Sequence, residues 1–384
     1  MASLLHEHLE TPNFTTGYHM SVIIDTTLRE GEQTPGVSFR LEEKKHIIDG
    51  LVSIGIGEIE LGIASPLVDC PAHLLKYSRQ NYPQLACSLW SRCHENDIRF
   101  AGTLSPDILA LSIPVSDILI KDKLGKTREW TVGCLKSSIE LVKKIGMRVA
   151  VGFEDATRAD RSFLLQMAQM AESHGAVRVR LADTVGTSSP VEFGNLVASV
   201  CTVLNKTGVS AHCHNDFGMA TANAVTALEN GAESADATLL GLGERCGCTR
   251  LEELAGFLKL KKNSSFDLGK IPQLAKYLAT LTSRDIARNQ PFLGKDIFTC
   301  ETGLHLQALY KNTATYEPYP AELIGAQRML RPGSKAGRGA ILSYLQSKGF
   351  AIPEDINDNT IKLIRHSLAG GNLNDSELAA KLSC

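Results

Sequence analysis

The stretch Arg148–Ala182, RVAVGFEDATRADRSFLLQMAQMAESHGAVRVRLA, sets the pattern for most of the chain. Arg148–Phe153 is short and rich in β-branched and apolar residues, as a buried strand requires. Arg161–His174 places its apolar residues three and four apart and stops at Gly175, as a helix does. A second strand-like run, Val177–Ala182, follows at once.

The same unit recurs about every thirty residues on either side. The strand-like runs are Val22–Thr27, Glu58–Gly62, Leu85–Trp90, Asp117–Lys121, Arg148–Phe153, Val177–Ala182, Val209–His212 and Ala235–Leu240. Leu41–Ile54 and Thr131–Ile145 are helical in spacing and stop at Gly55 and Gly146. Eight βα units predict the α/β class and a closed (β/α)8 TIM barrel. An open doubly wound sheet would carry Gly-x-Gly-x-x-Gly after its first strand, and that turn is missing.

The expected organisation is an arm over residues 1–20, a barrel over 21–262 and a mainly helical C-terminal region over 263–384. Leu251–Leu260 reads as the last barrel helix, and the polar stretch Lys261–Lys270 marks the boundary. Helical spacing then recurs in Pro272–Arg288, Glu322–Arg328, Ala336–Lys348 and Asp358–Leu368, with loops near Asn289–Thr302 and Tyr316–Pro320.

With 384 residues at 43% hydrophobic, the chain can bury a large core. Forty basic and 42 acidic residues nearly cancel, and no long single-sign run occurs, which argues against nucleic-acid and membrane partners and for a small molecule. Met1 to about Tyr18 lacks a basic stretch followed by an apolar run, so it does not read as a secretory signal. Ten scattered cysteines then suggest reduced thiols in the cytoplasm, and Cys246 and Cys248, one residue apart, lack the spacing of a structural zinc site.

His212-Cys213-His214-Asn215-Asp216 closes the seventh strand-like run. Strand alternation puts both imidazoles on one face and Cys213 on the other. At the C-terminal end of a barrel strand they project into the mouth, where barrel enzymes work; the competing reading is two satisfied core histidines. The first strand ends in Asp25–Gln33, DTTLREGEQ, a dense run of charge at the same mouth. A carboxylate from this run with two imidazoles makes a site for a divalent cation with open positions. A 2-oxo acid chelates such an ion through its keto and carboxylate oxygens, and the guanidinium of Arg29 is placed to stabilise a developing alkoxide.

These strings, with Ala182–Gly186 (ADTVG) and Gly241–Gly247 (GLGERCG), resemble the acyl-transferring branch of the DRE-TIM metallolyases, over nearly the whole chain after Met20. Pro114–Trp130 and Val151–Asp160 look most like homocitrate synthases of the nitrogen-fixation type. The resemblance implies that Glu30, His212 and His214 hold the metal, that Arg29 stands beside the keto oxygen, that Thr184 binds the substrate carboxylate, and that Asp25 and Gln33 support the substrate site. One carboxylate and two imidazoles do not select among zinc, manganese, magnesium and iron. Phe298–Pro318 resembles the segment that members exchange across a homodimer, which implies His305 as the base that takes a proton from the acetyl-CoA methyl, by relay with Tyr316. Three departures stand out: Cys248 where the family often has Asn, Cys300 for a His, and GSKAGR at Gly333–Arg338 for GKHSGR.

Arg92, after the third strand, is the candidate partner for the distal carboxylate of 2-oxoglutarate. The function expected is therefore condensation of acetyl-CoA with 2-oxoglutarate to homocitrate. Oxaloacetate, pyruvate or 2-oxoisovalerate as acceptor, a carbon–carbon lyase on the same barrel, and a non-catalytic 2-oxo acid sensor are the alternatives.

Overall fold

The computed structural model describes residues 22–66, 71–333, 335–352, 356–369 and 377. The expected N-terminal arm lies outside the described residues.

Eight parallel strands close into a barrel in chain order, with the last hydrogen-bonded to the first through Ile23↔Ala235 and Asp25↔Ala237. The repeat runs β1 (Ile23–Asp25), α1 (Leu41–Ile54), β2 (Glu58–Ile63), α2 (Ala72–Asn81), β3 (Ala86–Arg92), α3 (Glu95–Leu104), β4 (Ile108–Pro114) and α4 (Arg128–Lys144). It continues through β5 (Arg148–Glu154), α5 (Arg161–Ser173), β6 (Arg178–Asp183), α6 (Pro190–Cys201), β7 (Gly208–Cys213), α7 (Ala220–Glu229), β8 (Ser234–Ala237) and α8 (Leu251–Lys262). Local chemistry sets the boundaries. α1 stops at Gly55, whose φ of 104° suits glycine, and α6 starts on a Ser189–Glu192 capping box with Pro190 in its first turn.

The fourth strand corrects the sequence-based expectation. Asp117–Lys121 is not a strand: Leu119–Lys123 is a wide helical turn and Ile118 is half exposed. The strand is the preceding run, Ile108–Pro114, where alternation sends Leu109 and Leu111 into the helix-covered core while Ile108 and Ala110 cluster with Ala150 in the lumen. β8 ends at Ala237, short of the expected Leu240, because Leu239–Gly241 winds into a single 3₁₀ turn.

The lumen is charged. Glu58 and Glu60 on β2 face Arg178 and Arg180 on β6, four strands away, so their ion pairs cross the interior. Arg178 Nη2 meets Glu58 Oε1 at 2.6 Å and Arg180 Nη1 meets Glu60 Oε1 at 3.0 Å.

Beyond the barrel, α9 (Ile271–Leu281), Phe298, Ala321 and Ile324 join the barrel core. Thr299–Cys300 (β9), α10 (Gly303–Lys311), Met329–Leu330 (β10), α11 (Arg338–Ser347) and α12 (Asp358–Ala369) follow. β9 pairs with β10, and a second, smaller core contains Leu306, Ala340, Ile341, Leu345, Ile361 and Ile364. The helix expected over Pro272–Arg288 ends at Leu281, and that over Glu322–Arg328 is a 3₁₀ turn, Ala321–Ile324, stopped by Gly325 at φ 66°.

Candidate active site

After β1 the chain turns sharply: the N–H groups of Arg29, Glu30 and Gly31 all donate to Thr26 O, at 3.0, 2.7 and 3.2 Å. The turn places Arg29 and Glu30 over the mouth, both buried. β7 delivers His212 and His214 to the same space, with Cys213 buried among the barrel's outer core residues. The His212 and His214 Nε2 atoms lie 3.3 Å apart, and Glu30 Oε2 is 3.7 Å from His212 Nε2. One ligand atom from each of the three falls within 4.8 Å of the others.

These donors fit a cation. His212 Nδ1 lies 2.7 Å from Asp236 Oδ2, a contact that orients the ring and turns Nε2 toward the triad. Burial, and then the neighbouring His212, lower the His214 pKa to about 4, so its imidazole is neutral near pH 7. Burial works against the Glu30 carboxylate, yet Arg29 and the two histidines hold its pKa below the ordinary range. Glu30 Oε2 is bonded by Arg29, whereas Oε1 is buried with no hydrogen-bond partner. Two imidazoles and one carboxylate whose second oxygen is buried without a partner make a donor set that suits a divalent ion with open positions.

His214 carries a pH prediction. Its folded-state pKa lies below the 6.5 of the free imidazole, so the unfolded chain binds more protons between about pH 6.5 and 4. Stability of the metal-free protein therefore falls as pH drops through that window, by up to about 3 kcal/mol. Urea unfolding at pH 7 and pH 5 checks this: His214→Asn should show a smaller loss between the two than the parent chain.

Around the triad lie residues that the sequence reading missed. Asp236 orients His212, and Glu60 is bonded by both Arg29 and Arg180. Against burial, Arg180 and Arg29 lower the Glu60 pKa to about 2. The available signal was charge at alternate positions of strands whose other residues are apolar. The loop Gly241–Gly247 closes over the triad's rim: His214 and Cys248 form an antiparallel bridge, and a Cβ on Gly247 would sit 1.9 Å from Gly241 O. Cys248 is buried, its thiol donating to Leu242 O at 3.3 Å, and Cys246 is exposed; the described cysteines are free thiols.

The other sequence-derived candidates make contacts of their own. Thr184 Oγ1 accepts the Asp155 N–H at 2.8 Å, and Gln33 is exposed on the 3₁₀ turn after Glu30. Arg92 is largely exposed and turned to Asp97, with Nε 2.7 Å from Oδ2 and Nη2 3.2 Å from Oδ1. His305 on α10 stacks on Tyr316 with ring centroids 4.0 Å apart, both exposed, beside the second core.

Residues 21–278 match the HMGL-like family model, and residues 292–370 match the homocitrate synthase post-HMGL domain. The chain belongs to the HMGL-like family. Its relatives include the 2-isopropylmalate synthase 2 of Caldanaerobacter subterraneus subsp. tengcongensis, 34% identical over 87% of each chain. The homocitrate synthase AksA of Methanothermobacter thermautotrophicus is 35% identical over 93% of this chain and 91% of its own. Among solved structures, the HMG-CoA lyase of Brucella melitensis superposes with a TM-score of 0.62 at 18% identity, covering 70% of this chain and all of that one, a likeness of fold alone. The HMGL-like chain is thus an acyltransferase-type 2-oxo acid synthase. No described helix of this synthase is long and apolar enough to cross a membrane.

Proposed function

We propose that the protein is a homocitrate synthase, joining the acetyl-CoA methyl carbon to the keto carbon of 2-oxoglutarate and then hydrolysing the thioester to release homocitrate and CoA. The observation that carries this reading is the placement of a buried, charged Arg29 beside the Glu30, His212 and His214 donors at one barrel mouth.

A divalent metal bound to those donors would supply Lewis-acid polarisation of the keto group. Arg29 provides the fixed positive charge for the oxygen that becomes negative as the carbon–carbon bond forms. Burial works against that charge, but Glu60 and Glu30 raise the pKa of the guanidinium further. Thr184 and Gln33 bind the oxo acid from the β6 and β1 loops. His305 takes the methyl proton, with Tyr316 stacked against it as the relay. In this reading a homodimer with exchanged C-terminal regions brings that pair to a barrel mouth, and the enzyme works in the reducing cytoplasm, in keeping with its free thiols.

2-Oxoglutarate is favoured by Arg92, whose guanidinium turns from Asp97 to the distal carboxylate when substrate enters. Arg92→Leu should raise KM for 2-oxoglutarate at least tenfold, about 1.4 kcal/mol, and leave KM for pyruvate nearly unchanged. His305→Ala should lower kcat about 10²- to 10⁴-fold while metal binding is retained.

CoA release from acetyl-CoA, measured with 2-oxoglutarate, oxaloacetate, pyruvate and 2-oxoisovalerate, tests the proposal. Highest kcat/KM with 2-oxoglutarate is expected. Preference for another acid reassigns the substrate within the family, and no release with any of them removes the synthase reading for the acids tested.

A further inference from the structure

The buried charges at the mouth form a closed cycle through five strands or their C-terminal loops. Arg29 bonds both Glu30 and Glu60; Glu60 Oε1 accepts from Arg180 Nη1 at 3.0 Å; Arg180 Nε lies 3.0 Å from Asp236 Oδ2. Asp236 Oδ2 lies 2.7 Å from His212 Nδ1, and His212 Nε2 returns to Glu30 Oε2 at 3.7 Å. All six side chains are buried. Three carboxylates against two guanidiniums leave one negative charge, which a cation on the triad would offset.

The geometry points to Arg180 as a positioning residue that couples the grip on the metal to the orientation of Arg29. Its planar fork holds two carboxylates in different directions at once. One of them, Asp236, fixes the ring orientation of His212, and the other, Glu60, fixes Arg29. A lysine ammonium is a point donor on a flexible stem and cannot hold both in this fixed geometry. The neighbouring Arg178, two residues earlier on the same inner face, bonds Glu58 and takes no part in the cycle. This inference rests on the metal reading of Glu30, His212 and His214, but not on which oxo acid is used.

The experiment is Zn(II) affinity of the full-length, chelator-stripped protein, measured by competition with a chromophoric chelator. The chains compared are the parent, Arg180→Met, Arg180→Lys and the control pair Arg178→Met/Glu58→Leu, which removes lumenal charge outside the cycle. Arg180→Met should bind Zn(II) at least tenfold more weakly, with Arg180→Lys intermediate and the control within about twofold of the parent. At saturating Zn(II), Arg180→Met should keep a kcat deficit of about tenfold, because Arg29 has lost its fixed partner arrangement. Parent-like affinity in Arg180→Met, or an equal loss in the control, overturns the assignment. Should Arg180→Met fail to fold, parent-like affinity in Arg180→Lys overturns it and a loss confined to that variant supports it. A parent chain that binds no Zn(II) removes the metal reading itself, a failure distinct from any difference among the variants.

Discussion

Glu30→Ala is expected to release the metal and to lower CoA release by about 10³-fold or more at ordinary metal concentrations. Glu30 is the single anionic donor of the triad. Loss of an outer partner alone typically weakens such sites 10- to 100-fold, and loss of a direct ligand should exceed that. Without the carboxylate, the site loses both its negative charge and the oxygen that fixes a third direction beside the two imidazoles. Glu30→Asp keeps the charge but withdraws the oxygens by one methylene, and should fall between the parent and the alanine variant. Metal content after dialysis, read by elemental analysis beside the CoA assay, checks both. An alanine variant that retains one tightly held ion would assign the site to other residues.

Arg178→Met is expected to cost about 3–5 kcal/mol of stability, the loss typical of breaking one partner of a buried ion pair. Arg178 is fully buried in the lumen, and its two guanidinium nitrogens meet Glu58 at 2.9 and 2.6 Å. Methionine occupies much of the space but leaves Glu58 charged and enclosed. Removing both charges, in Arg178→Met/Glu58→Leu, should recover most of the loss, because two apolar side chains need no partner. Urea unfolding of the parent, the single and the double variant measures the difference. A double variant as unstable as the single one would show that packing, and not the orphaned carboxylate, dominates.

The barrel was legible in the sequence because each βα unit repeats the same alternation of strand, polar turn and helix, and α1 was delimited to the residue by Gly55. The fourth strand was misplaced because two apolar runs lie within a dozen or so residues, on either side of Pro114. What separates them is the company each keeps in the closed sheet: Ile108–Pro114 has hydrogen-bonding neighbours on both sides, and Asp117–Lys121 does not belong to a strand. His212 and His214 could be paired from alternation alone, and Glu30 joins them once β1 and β7 share a mouth. Glu60, Arg180 and Asp236 escaped notice for a physical reason. Their partners lie far away in sequence, with Glu60 and Arg180 separated by 120 residues, so their charges make sense only after the barrel closes. Arg92 is a different case: its fork engages a local carboxylate five residues on, Asp97, a partner that its position after the third strand did not reveal.

X-ray absorption at the metal edge of the reconstituted protein, before and after 2-oxoglutarate is added, tests whether Glu30, His212 and His214 together hold an ion that the oxo acid reaches. Scattering from two imidazoles and a carboxylate oxygen is expected, with further oxygen ligands exchanged when the oxo acid chelates. A shell without imidazole scattering, or one unchanged by saturating 2-oxoglutarate, would rule out this metal centre.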